Sequence, residues 1–226
     1  MSIDTQYDAL ILVAGTGRRM QSNQNKIFLK INGKPVFEYS LDLFKEDLDC
    51  QRIILVGKKE EESHFSPYLS ERVKFVQGGL ERQDSVRLGL KQVISPQVMI
   101  HDGARPFLTK EKLEDLKNHP NSILAIPVKD TIKEVKEDNT KIEKTLDRSH
   151  LYAAQTPQYF SSKLITTAHA DAYEDNYMGT DDASLVEKYS SQSVELVEGS
   201  YENIKVTTPD DLLMGELLAK KLFGRK

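Results

Sequence analysis

The 226-residue sequence contains no tryptophan and a single cysteine, Cys50. A lone cysteine excludes an internal disulfide and any cysteine-rich metal centre, and it suits a reducing compartment. Excess positive charge is also missing. The 31 basic and 35 acidic side chains leave a net charge of -4. Nucleic-acid backbones require a basic surface, so no nucleic-acid partner is expected, although a local phosphate pocket stays possible. No apolar run approaches the roughly 20 residues that span a bilayer. The opening MSIDTQYD is polar and acidic, unlike a secretory leader, and the terminal KKLFGRK reads as solvated charge ending a helix. A soluble, cytoplasmic protein without a membrane partner is expected. Repeats, low-complexity tracts and linkers are missing too, so residues 1–226 read as one domain.

What is present is a succession of short apolar runs rich in β-branched residues. Tyr7–Val13, Arg52–Gly57, Val73–Gly79, Gln97–Gly103 and Ser122–Val128 read as strands, nearly continuous in hydrophobicity as parallel strands covered on both faces are. Between them, PVFEYSLDLFKED places Pro35 in a first helical turn and lines Phe37, Leu41 and Phe44 along one face. Glu81–Ile94 spaces Val86, Leu90 and Val93 in the same way. Strands alternating with helices predict an α/β fold with a mostly parallel sheet flanked by helices. The pattern changes after Val128. From about residue 129 to 150, apolar and polar residues alternate on both sides of KEDNTK, which predicts a β-hairpin arm. So polar a hairpin is marginal alone and is expected to pack on something, such as another subunit. TPDDLLMGELLAKKLF then predicts a last amphipathic helix, with a threonine N-cap and Pro209 at its first position.

The glycine turn after the first strand, AGTGRRM, lacks the third glycine of a dinucleotide fingerprint and the Gly-Lys-Ser/Thr of a P-loop. A short turn with clustered positive charge remains. Backbone amides around Gly15 and Gly17 can approach a triphosphate, with Arg19 and Lys26 as countercharge. The plainer reading is a tight turn carrying solvated arginines. In HDGARPF, Asp102 falls at the carboxyl end of a buried strand, where open α/β sheets bind ligands, and one carboxylate beside a triphosphate suits Mg²⁺. It could equally cap a turn held by Arg105. His101 reads as a packed strand-end residue. In GGLERQDSV, paired glycines admit a flat ligand and Ser85 could reach a base edge, while Arg82 and Asp84 read as helix-surface charges.

Together AGTGRRM, GGLERQDSV, HDGARPF, PVKDTIK, TLDRSHLYAAQTPQ, GTDDASLVE and EGSYENIKVTTPDDL resemble, in order and over almost the whole chain, the 2-C-methyl-D-erythritol 4-phosphate cytidylyltransferase family of the non-mevalonate isoprenoid route. The resemblance implies a Rossmann-like nucleotidyltransferase fold with a protruding hairpin arm that embraces a second subunit, hence a homodimer. It implies a Mg²⁺-dependent transferase, or one using another divalent cation, acting on CTP and a small sugar-alcohol phosphate. Ala14, Gly15, Gly17 and Arg19 then hold the triphosphate with Lys26, and Gly79 and Ser85 lie near the cytosine. Asp102 becomes the metal-side carboxylate. Thr131 and Arg148 reach the partner subunit's substrate from the arm, and Thr156, Thr180 and Lys205 supply the other sugar-phosphate contacts. Arg19, Lys26, Arg148 and Lys205 form the implied catalytic set.

Two departures stand out. The chain has Asn25-Lys26-Ile27 where Pro-Lys-Gln is frequent in the family, and Leu80 where an acidic residue is common. A ribitol-5-phosphate cytidylyltransferase shares the glycine loop and the threonine-proline-glutamine stretch, and it remains the alternative. A non-catalytic nucleotide-binding regulator is a more distant one.

Overall fold

The protein is described by a computed structural model covering residues 5–15, 25–137 and 140–224. Its strands β1 (Tyr7–Leu12), β4 (Cys50–Gly57), β5 (Val73–Gln77), β6 (Gln97–Asp102), β7 (Ser122–Pro127), β10 (Tyr152–Ser161) and β11 (Glu195–Glu198) form a seven-stranded sheet in the order β11-β7-β10-β6-β1-β4-β5. Most neighbours run parallel, while β10 runs antiparallel to both β6 and β7. The two-residue strands β2 (Lys30–Ile31) and β3 (Lys34–Pro35) form a separate hairpin whose turn places Gly33 at φ +79°.

Side chains alternate across the sheet as strand geometry requires. Ala9, Ile11, Ile53, Leu55 and Met99 point to one face, beneath α1 (Val36–Glu46), the short α2 (Glu62–Phe65) and α4 (Lys110–Lys117). Leu10, Ile54, Val56, Val98 and Ile100 point to the other, beneath α3 (Arg82–Leu90), α5 (Ser162–Glu174) and α6 (Asp182–Tyr189). Each large apolar side chain removed from water in this way contributes about 1.5–3 kcal/mol. A third cluster of Ile31, Val36, Phe107, Val206 and Ala219 seats α7 (Pro209–Phe223), which starts at a capping box between Thr208 and Asp211.

Some local expectations shift. Pro35 is the N-cap of α1 rather than a first-turn residue. Helix α3 stops at Leu90, four residues before Ile94, because the chain turns there to bring the Ile94 and Ser95 amides onto the buried Asp8 carboxylate. The predicted hairpin exists as β8 (Lys133–Val135) against β9 (Ile142–Thr145), and every residue of both strands is exposed. At its root, the Arg148 Nη1 donates to the Lys129 carbonyl at 2.6 Å, and the Lys129 ammonium sits 3.5 Å from the Tyr201 ring centre.

Strand order sets the position of the cleft. After β1 the chain adds β4 and then β5 on one side, and later returns to place β6 on the other. The carboxyl end of β1 is therefore a topological switch point, where open α/β sheets bind ligands.

Candidate functional site

A cleft of about 400 Å³ opens at that switch point, lined among others by Ala14, Gly15, Lys26, Gly79, Ser85, Asp102 and Lys205. Seven residues singled out from the sequence thus converge from separate segments. Ala14 and Gly15 follow β1, Gly79 follows β5, Ser85 lies on α3 and Asp102 ends β6. Lys205 comes from the stretch before α7, which the Val206 amide pins to the Ala104 carbonyl at 2.8 Å.

Asp102 lies at the base of the cleft and is held from two sides. The Arg82 Nε donates to one carboxylate oxygen at 3.1 Å and the Lys205 Nζ to the other at 2.6 Å. Burial alone would raise the Asp102 carboxyl, but the Arg82 and Lys205 charges outweigh it and hold the group far below its ordinary value. Asp102 is therefore an anion at neutral pH. Its own backbone amide donates to the Thr156 hydroxyl at 3.0 Å, and that hydroxyl also meets the His101 Nδ1 at 3.1 Å. His101 is wholly buried, which pushes it down to about 4, and its Nε2 lies 3.0 Å from the Ser40 hydroxyl. It is a neutral packing residue under the site.

Arg82 is more than a helix-surface charge. Besides Asp102 it reaches Asp182, whose Oδ2 accepts from its Nη2 at 2.8 Å, and Asp182 is also bonded by the His169 Nε2 at 3.0 Å. A chain of alternating charge thus runs from Lys205 through Asp102 and Arg82 to Asp182, which His169 also contacts. Asp182 and His169 each expose only 1% of their surface. The arrangement was not visible in sequence because Arg82 and Asp182 stand 100 positions apart. The one local signal was the paired aspartate of GTDDASLVE.

Burial acts to raise the Asp182 carboxyl, yet the Arg82 charge and the His169 bond lower it overall. A depressed carboxyl contributes stability above its unfolded value of about 3.9 and loses it as pH falls through the folded value. Asp182→Asn should therefore flatten the decline of unfolding free energy below about pH 4, measured by denaturant titration at successive pH values. An unchanged slope would mean that Asp182 is not part of the acid response.

The base side of the cleft depends on glycine. A Cβ on Gly79 would overlap the Cβ of Asp84, so only glycine lets the chain pass. The Ser85 hydroxyl accepts from the Gly79 amide and donates to the Glu81 carbonyl, each at 3.1 Å. Ser85 thus shapes this loop, and Leu80, in the place of the common acidic residue, is 99% exposed at its tip.

The remaining expected residues lie elsewhere. Thr156 is buried behind Asp102. Thr180 lines an adjoining cavity of about 140 Å³ together with Asp181 and Asp182, and Glu81 and Arg82 form part of both walls. Thr131 and Arg148 are exposed on the arm. Gly17 and Arg19 lie outside the described residues.

No cluster of three or more acidic, histidine or cysteine side chains suited to a metal exists among the described residues. A protein-built metal cage is thus not available there. One ionised carboxylate facing the cleft does fit Mg²⁺, which is commonly bound by one or two carboxylates with substrate phosphates completing the shell.

The family model described as 2-C-methyl-D-erythritol 4-phosphate cytidylyltransferase matches residues 8–221. A protein of that name from Bacillus velezensis is 43% identical, covering 97% of this chain and 98% of its own. Another from Bacillus mycoides is 46% identical, covering 93% and 96%. Among solved structures, 4-diphosphocytidyl-2C-methyl-D-erythritol synthase from Anaerococcus prevotii superposes with a TM-score of 0.84 at 30% identity, covering 96% of this chain and 98% of its own.

Proposed function

From the premise that this chain belongs to the 2-C-methyl-D-erythritol 4-phosphate cytidylyltransferase family, we infer that it transfers the cytidylyl group of CTP to 2-C-methyl-D-erythritol 4-phosphate. The products are 4-diphosphocytidyl-2-C-methyl-D-erythritol and pyrophosphate, in the synthesis of isoprenoid precursors. The observation that carries this reading is the convergence of Lys26, Lys205 and Asp102 in one cleft at the sheet's switch point.

An oxygen of the acceptor phosphate attacks the α-phosphorus of CTP. The new P–O bond forms as the bond to the β-phosphate oxygen breaks, and the electron pair leaves with pyrophosphate. The acceptor is already anionic, so no general base is needed. The protein's tasks are to bring anions together and to neutralise charge on the transferring group. Lys26 and Arg19 do so at the triphosphate, where Ala14, Gly15 and Gly17 offer backbone. Gly79 and Ser85 frame the cytosine. Lys205, Arg148, Thr131 and Thr180 receive the sugar phosphate, with Thr156 acting from behind Asp102. Asp102 would supply one oxygen to Mg²⁺, or to another divalent cation, which contributes countercharge to the phosphates.

The chain is read as a single cytoplasmic domain that works as a homodimer. Support for the dimer comes from the arm, whose strands are exposed throughout, and from Arg148, which is exposed at the arm's root and is not among the described residues that line the cleft. If Arg148 serves the partner's cleft, mixing Arg148→Ala with Lys26→Ala subunits restores activity, because a mixed dimer contains one site with both residues intact. No recovery after verified subunit exchange would contradict a shared site. The chemistry itself is tested with CTP labelled at the α-phosphorus. The label should enter the sugar product and be absent from pyrophosphate, whereas label left in free CMP or CDP would mean attack at the β- or γ-phosphorus instead.

A further inference from the structure

Asn25 occupies the position where proline is frequent in the family, and its backbone keeps the conformation that proline imposes, with φ at -60°. Its side chain adds what proline lacks. The amide nitrogen donates to the Val13 carbonyl at 2.9 Å and to a Glu61 carboxylate oxygen at 2.9 Å. Val13 directly follows β1 and stands twelve positions before Asn25, so one side chain ties together the two ends of the glycine-rich segment. The Asn25 carbonyl accepts from the Phe28 amide at 3.0 Å, which closes a single 3-10 turn over Lys26–Phe28. On the apolar side that turn is fixed by Ile27, 1% exposed, and by Phe28 against Phe37 and Phe65. Lys26 lies between these two anchors and lines the cleft, its Cε beside Gly15.

We propose that Asn25, braced by Glu61, is a positioning residue that sets the place of Lys26 relative to the end of β1. The proposal rests on the reading of Lys26 as a triphosphate ligand. A core anchored only through Ile27 and Phe28 fixes the depth of the turn, whereas the amide fixes its distance from the strand. The two amide bonds also satisfy acceptors that would otherwise lose a partner when Asn25 is replaced.

The test is a double-mutant cycle read by pyrophosphate release and by CTP binding, with thermal melting on every variant. Asn25→Ala should lower kcat/KM by about ten- to hundredfold, the range expected when a catalytic group is displaced by up to an ångström. On a Lys26→Ala background the same change should have no further effect. A merely structural role would add its loss to that of Lys26→Ala, and that outcome overturns the proposal. Asn25→Pro keeps the backbone angle and removes the amide, so it should fail like Asn25→Ala. Full activity in the proline variant would assign the role to the backbone instead. Should Asn25→Ala not fold, Glu61→Ala removes one of the two bonds from a half-buried side chain. It should show a smaller loss that again vanishes without Lys26, and an additive loss would overturn the proposal. The parent reading fails separately, if Lys26→Ala itself turns over normally.

Discussion

Lys26→Ala is expected to lower kcat by about 10²–10³, the loss typical of removing one preorganised donor from a site of developing charge. Lys26 is only 8% exposed, and it lines the cleft beside the Gly15 backbone. An ammonium in such a site is already desolvated and oriented before the nucleotide arrives. Its attraction for phosphate charge is correspondingly stronger than that of a surface lysine. If its main partner is the transferring group, the loss falls on kcat; if it holds ground state and transition state alike, KM rises instead. Steady-state kinetics with a melting curve as control separate these outcomes. Normal kcat and KM would remove the role assigned to Lys26.

Arg82→Ala is expected to cost about 3 kcal/mol of folding stability, the lower end of the penalty for stranding a buried charge. The reason lies in its partners. Asp182 exposes 1% of its surface, and when the guanidinium is gone the side-chain partners that remain among the described residues are His169 for Asp182 and Lys205 for Asp102. Arg82 retains 31% side-chain exposure, so water entering its space screens part of the loss. Even so, about 3 kcal/mol is a large fraction of the 5–15 kcal/mol that separates native from unfolded proteins. Denaturant unfolding measures it directly. The double variant Arg82→Ala/Asp182→Ala should cost less than the two single changes summed, because the buried Asp182 charge is then removed along with its guanidinium partner rather than stranded by it. Additive costs would show that the pair is not a unit.

How much of this was legible in sequence follows from the range of the interactions. The parallel strands announced themselves because burial on both faces leaves continuous apolar runs, and β1, β4, β5, β6 and β7 fall within a few residues of the predicted segments. Strand β10 did not announce itself. Its ten residues include Gln155, Thr156 and Gln158, buried polar groups whose partners Asn203, Asp102 and Asp181 lie far away in the chain. Helices α5 and α6 and strand β11 were likewise unmarked, and the antiparallel insertion between β6 and β7 depends on pairings that no local period encodes.

At the site, Lys26 and Asp102 were legible as candidates from residue type and position, each beside an equally plain structural reading, and only their convergence in one cleft separates the two. Lys205 came from resemblance, and the fold brings it within 2.6 Å of Asp102. Arg82 reads as a surface charge in sequence because a charged residue in a helical first turn is ordinarily solvated. Only tertiary structure sets it between two carboxylates. Asn25 was visible only as a departure, and its meaning depended on where Val13 and Glu61 stand.

The central claim is cytidylyl transfer to methylerythritol phosphate, and its most direct test is Mg²⁺-dependent pyrophosphate release from CTP with two acceptors compared. The account predicts a much higher kcat/KM with 2-C-methyl-D-erythritol 4-phosphate than with ribitol 5-phosphate. Preference for ribitol 5-phosphate, or release with neither despite CTP binding, would contradict it.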